Sequence, residues 1–116
     1  MPRDHRDWIV WQKSMDLVID VYQITKSFPQ SELHGLGSQM QRCAISIPSN
    51  IAEGYRRMSK TDSLRFYRIS FGSASELETQ IEIASRLGYS SPEELKKAQN
   101  LLTEVLKLIS SMIFKK

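Results

Sequence analysis

Apolar residues recur at intervals of three and four along most of this chain, the spacing of helices that bury one face. The first such stretch runs from about Val10 to Phe28. Val10, Ser14, Val18, Val21, Thr25 and Phe28 share a face, and Trp11, Met15, Leu17, Tyr22 and Ile24 widen it. Pro29 follows, and proline disfavours helical backbone in the residue before it, which predicts an end near Ser27 or Phe28. After a polar connection containing Gly35, the second stretch carries Leu36, Met40, Cys43, Ala44, Ile47 and Ile51. Pro48 lies inside it. Proline removes one i→i−4 hydrogen bond and crowds the carbonyl of residue 44, so a kinked helix is expected, with Ala44, Ser46 and Ser49 leaving room for the bend. Gly54 is a candidate terminator, although a glycine one turn inside the end is also tolerable.

Ser59 or Thr61 suits the cap of a third helix, with Asp62 favourable in its first turn. Its predicted core stripe is Leu64, Tyr67, Phe71, Ala74, Leu77, Ile81 and Ala84, closing at Gly88. Ser70, Gly72, Ser73, Ala74 and Ser75 make its middle small enough for close approach by a neighbouring helix. The fourth start is the clearest: Ser91-Pro92-Glu93-Glu94 places serine at the N-cap, proline at the first helical position and glutamate at N3, the pattern of a capping box. Leu95, Ala98, Leu102, Val105, Ile109 and Met112 then repeat as heptad core positions, with Leu101 and Leu108 alongside. No strand pattern, internal repeat or low-complexity segment interrupts this order. Four amphipathic helices joined by short connections bury their stripes most simply against one another. The expected fold is all-α: an antiparallel up-down four-helix bundle, kinked at Pro48, with residues 1–116 forming one domain.

Composition sharpens the class. A chain of 116 residues can bury a core without metal or disulfide support, and its single cysteine, Cys43, cannot close an intramolecular disulfide. The polar start Met1-Pro2-Arg3-Asp4-His5-Arg6-Asp7 lacks the apolar run of a signal peptide, and no segment approaches the roughly 20 apolar residues that span a bilayer. A soluble cytoplasmic protein without membrane association is the expectation.

Candidate chemistry is sparse. Di-metal bundles need inward glutamates and a Glu-x-x-His pair on each of two helices; neither His5 nor His34 follows a glutamate by three positions. Both histidines are expected to be solvated, His5 in a frayed terminus and His34 in a loop. Cys43 sits on an apolar stripe with no histidine near it in sequence, the setting of a buried structural thiol. No Gly-x-Ser-x-Gly elbow, no Ser/His/Asp set and no phosphate-cradling glycine loop is present. Glu78, Glu82 and Arg86 follow at one-turn intervals, as solvent-facing ion pairs do. No catalytic site, metal site or cofactor is expected, and the chain does not look like an enzyme.

Charge is more informative. The net charge is +3, yet Arg56, Arg57, Lys60, Arg65 and Arg68 face a single acid, Asp62, over residues 56–68. That segment alone carries +4, leaving −1 for the rest. Such a cluster can neutralise phosphates, with Tyr55, Phe66 and Tyr67 interleaved as stacking groups. It can equally be a solvated loop whose aromatics belong to the core. Trp8 and Trp11, three residues apart, fit either a core cap or a subunit interface.

One stretch is more specific than any of these. Trp11-Gln12-Lys13-Ser14-Met15-Asp16-Leu17-Val18, Phe28-Pro29 and above all Ser46-Ile47-Pro48-Ser49-Asn50-Ile51-Ala52-Glu53-Gly54 resemble the four-helix bundle proteins encoded in ribosomal-RNA intervening sequences. Arg65-Phe66, Gly72-Ser73-Ala74, Glu76-Leu77-Glu78-Thr79-Gln80 and Leu87-Gly88-Tyr89 extend the resemblance over nearly the whole chain. The same family is similar to the accessory variability determinant of diversity-generating retroelements. The resemblance implies a ring-shaped homopentamer and, for the retroelement relative, binding to RNA or DNA and to a reverse transcriptase. In this light Pro48 and Gly54 shape the second helix, Ser49 and Asn50 satisfy backbone groups near the proline, and Glu53 pairs with a nearby basic residue. Gly37, where relatives often have threonine, weakens the start of that helix. Two functions follow as expectations: nucleic-acid association through Arg56, Arg57, Lys60, Arg65 and Arg68, or a protein-docking scaffold without direct nucleic-acid contact.

Overall fold

The computed structural model describes residues 4–114; Met1, Pro2 and Arg3 of the polar N-terminal segment lie outside the described residues. Four helices account for most of them: α1 (Ile9–Thr25), α2 (Leu36–Tyr55), α3 (Lys60–Leu87) and α4 (Pro92–Phe114). One-turn 3-10 helices, His5–Asp7 and Gln30–Glu32, precede and follow α1. Among the described residues there is no strand.

Each helix packs on two neighbours, α1 on α2, α2 on α3, α3 on α4 and α4 on α1. At 1.5 Å per residue, a helix as long as α3 covers about 42 Å, close to the 44 Å long axis of the molecule. Paired contacts give the relative sense of the helices. Cys43 meets Ser73 while Ile47 meets Ser70; Lys13 pairs with Glu104 while Asp20 pairs with Lys97. Rising numbers on one helix thus meet falling numbers on its neighbour. The centre is a four-sided stack that includes Leu17, Val21, Met40, Ile47, Leu77, Ile81, Leu102 and Ile109, all 1% exposed or less.

The most extensive helix–helix contact lies between α2 and α3, and small residues line it. The Ser70 hydroxyl donates to the Ile47 carbonyl at 2.9 Å, the Ser73 hydroxyl to Ser46 Oγ at 2.9 Å, and the Cys43 thiol to the Ser73 carbonyl at 2.9 Å. Ser70 is completely buried, so its hydroxyl needs such a partner. α2 continues through Pro48, and the Asn50 amide donates to the Ser46 carbonyl at 2.8 Å in the turn around it.

Several expectations shift. α1 ends at Thr25, three residues before Phe28. There the Thr25 hydroxyl donates to the Tyr22 carbonyl, and Ser27 Oγ lies 2.9 Å from the carbonyls of both Ile24 and Tyr89. The backbone leaves the helix in tighter i→i−3 turns, the Ser27 and Phe28 amides donating to the Ile24 and Thr25 carbonyls at 3.2 and 3.1 Å, and the hydroxyls add second donors to the last carbonyls. Leu17 and Ile24, expected on the flank, are central. In α3 Leu64 and Phe71 are only half-buried, while Ser70 and Gln80 are buried; Ser70 faces α2, where its hydroxyl meets the Ile47 carbonyl. In α4, Ile113 rather than Met112 is buried: an ideal helix drifts by about 20° per heptad from a strict seven-residue repeat. The α2 start is capped by the Glu32 carboxylate, which accepts from the Leu36 amide at 3.0 Å. Gly37 is buried there, where an added Cβ would lie 3.1 Å from the Glu32 carbonyl oxygen. At α4, Ser91 Oγ accepts from the Glu94 amide and meets the Glu94 carboxylate, both at 3.2 Å.

Aromatic clusters close both ends of the bundle. Phe28 and Tyr89 pack with ring centroids 5.3 Å apart at one. At the other, Trp8 lies 5.8 Å from Tyr55 and 5.9 Å from Tyr67. Trp8 and Trp11 are half-buried against the core. His5 is not a solvated side chain: its ring sits 5.2 Å from Trp11 and 6.3 Å from Tyr55. Asp4, whose carboxyl the Arg6 guanidinium holds well below the usual carboxylate range, caps this short turn.

Candidate nucleic-acid interface

The end of the bundle closed by Trp8, Tyr55 and Tyr67 carries the basic cluster. Between α2 and α3 the chain reverses over residues 56–59. Gly54 makes this reversal tight. A Cβ there would stand 2.5 Å from the Tyr67 ring and 3.0 Å from the Ser63 carbonyl oxygen, so only glycine lets the last turn of α2 lie on the first turns of α3. Gly54 is thus a packing residue inside α2, not its terminator. Ser59 caps α3, its hydroxyl accepting from the Asp62 amide at 3.1 Å. Thr61, Arg65 and Arg68 then follow at i, i+4 and i+7 on one face.

These constraints gather Arg56 and Arg57 from the turn and Arg65 and Arg68 from α3 around one open concavity of about 820 Å³, with Met58, Ser59, Thr61 and Asp62 completing its lining. Lys60 is exposed but outside that lining. Four of the five cations singled out in the sequence therefore share one surface, and the fifth lies beside it.

The four arginines are not equivalent. Arg57 pairs with the Glu53 carboxylate and lies 3.8 Å from Asp62. Arg65 donates to Asp62 Oδ1 through Nε at 3.3 Å and Nη2 at 3.0 Å. Both guanidinium carbons stand 4.4 Å from the Phe66 ring centroid, at cation–π distance. Among the described residues, no ion pair engages Arg56, Lys60 or Arg68. The Glu53–Arg57 pair is the one the resemblance implied for Glu53, and its i,i+4 spacing is the sequence signal of it. Five cations against Glu53 and Asp62 leave +3 at this surface rather than +4.

The interleaved aromatics do not offer stacking faces. Tyr67 is buried, and burial together with nearby Tyr55 pushes its hydroxyl pKa up. Tyr55 is half-buried against Trp8 and His5. Phe66, also half-buried, is covered by Arg57 and Arg65.

Other candidate chemistry resolves toward structure. Burial, with Glu76 close by, pushes the Cys43 thiol up to about 11, the opposite of an activated nucleophile. His34 is exposed, and among the described residues no group of three or more His, Cys, Asp or Glu side chains is placed to hold a metal. Glu82 and Arg86 pair at 3.0 Å on the surface of α3. Among the described residues no helix is long and apolar enough to cross a membrane.

Comparison with known proteins agrees with this architecture. The family model described as 23S rRNA-intervening sequence protein matches residues 6–111. The chain is similar to a crystal structure of a protein of unknown function from the S23 ribosomal protein family of Bacteroides thetaiotaomicron. The two share 28% sequence identity over 92% of this chain and 100% of the other, with a TM-score of 0.83. No curated protein matches.

Proposed function

This chain belongs to the 23S rRNA-intervening sequence protein family, and on that premise we propose that it is a non-catalytic, cytoplasmic, oligomeric protein that binds RNA or DNA through its α2–α3 end. The observation that carries this reading is the convergence of Arg56, Arg57, Arg65 and Arg68 on one open concavity. A surface of clustered guanidinium groups attracts phosphates, and binding them releases condensed counterions. The absence of a free aromatic face makes recognition of the nucleic-acid backbone, rather than of base sequence, the chemistry this surface suits.

Oligomerisation belongs to the same proposal. A +3 surface on one chain is a modest attractor, and repetition around a symmetry axis would add the fields of the copies. A second reading, a scaffold docking a protein such as a reverse transcriptase, is favoured by one separate feature. An open apolar groove of about 700 Å³ lies between α3 and α4, lined by Phe71, Leu106 and Phe114 among others. Phe114 is 66% exposed there.

The test is a binding titration of a labelled single-stranded RNA by fluorescence anisotropy across a salt series. The nucleic-acid reading expects association near 50 mM salt that weakens steeply toward 200 mM. Absence of association at the low end leaves the scaffold reading in its place.

A further inference from the structure

Within the basic surface, the ion pairs divide the arginines into two sets. Arg57 is held by Glu53, approaches Asp62 and stacks on Phe66. Arg65 is held by Asp62 and the same ring. A phosphate reaching either guanidinium has to compete with a carboxylate already in place, and charge-assisted pairs of this kind are among the stronger hydrogen bonds. Arg56 and Arg68 line the same concavity with no ion pair among the described residues, so a phosphate displaces only water from them.

We propose that Arg56 and Arg68 are the phosphate ligands of this surface, and that Arg57 and Arg65 are positioning residues that hold the turn through Glu53, Asp62 and Phe66. The assignment rests on the nucleic-acid reading above and deepens it. It also gives the site its selectivity. With Phe66 covered by two guanidinium groups and Tyr67 buried, the concavity offers cations and the fully exposed Met58 side chain, but no open ring on which a base can stack. The ligand class is a phosphodiester backbone, taken without regard to the bases it carries.

Two double variants of the full chain separate ligand from positioning residue, because each removes the same charge. Arg56→Gln with Arg68→Gln should flatten the dependence of log affinity on log salt by about 1.4 for each copy of the surface that a labelled single strand engages, at about 0.7 per lost phosphate contact. Its thermal midpoint should stay that of the parent. Arg57→Gln with Arg65→Gln should keep most of the salt slope while lowering the thermal midpoint, since the turn loses three ion pairs and the ring contacts. Homopolymeric single strands of different bases should bind the parent within about threefold of one another. Equal loss of slope in the two variants, or a larger loss in the second, overturns the division of labour while leaving the nucleic-acid reading intact. A strong base preference overturns the backbone-only part. No binding by the parent at low salt overturns the underlying reading, and this assignment with it.

Discussion

At Gly54 a methyl group would sit 2.5 Å from the Tyr67 ring, whereas at Gly72 it would meet nothing within 4 Å. The same substitution should therefore act in opposite directions within one α2–α3 pair. Gly54→Ala forces the tight turn apart and should cost about 1–3 kcal/mol, as overpacking does. Gly72→Ala removes unfolded-state freedom from an uncrowded helical position and should stabilise by about 0.5–1 kcal/mol. Denaturant unfolding followed by circular dichroism reads both. Cys43 makes a second test at this scale. Its thiol is pushed from 9.0 to about 11 by burial and by Glu76, so the native chain keeps a proton that the unfolded chain loses first. The stability this contributes is complete below pH 9 and is lost as pH rises toward 11. Near pH 8, alkylation of Cys43 should be about 100-fold slower in the native protein than in the denatured one, following the thiolate population. Equal rates would place the thiol in solvent.

Helices are where the sequence was most readable. Period-3.6 stripes and the Ser91-Pro92-Glu93-Glu94 start located all four, because burial and capping leave residue-type signatures at fixed spacings. Edges of the stripes were less readable. At the early end of α1, Ser27 meets both Ile24 and Tyr89, the latter far away in sequence. The inward face of α3 at Ser70 depends on how closely α2 approaches. The basic cluster was visible as composition, but its division into paired and unpaired arginines was only half so: the Glu53–Arg57 spacing is local, while the stacking of both Arg57 and Arg65 on Phe66 needs the turn to be built. Leu102, 1% exposed on α4, tests the stripe that was read most directly. Leu102→Asp places an unpaired charge in the core and should prevent cooperative folding. A folded, fully helical variant would contradict the placement of that stripe.

For the whole molecule, the proposed assembly and the proposed use of the charge are linked. Light scattering at micromolar concentration should give the mass of a homo-oligomer, with a pentamer expected from the family resemblance, and a monomer mass would contradict it. In a pentamer the +3 surface recurs to about +15, a field able to retain a phosphate backbone that one copy would release. The central claim is that this surface binds nucleic acid. Its most direct test compares the parent with a variant in which Arg56, Arg57, Lys60, Arg65 and Arg68 are all glutamine, by anisotropy titration of a labelled RNA near 50 mM salt. The account predicts salt-sensitive binding by the parent and none by the variant, at unchanged helicity and oligomer mass. Undiminished binding by the variant, or no binding by the parent, would contradict it.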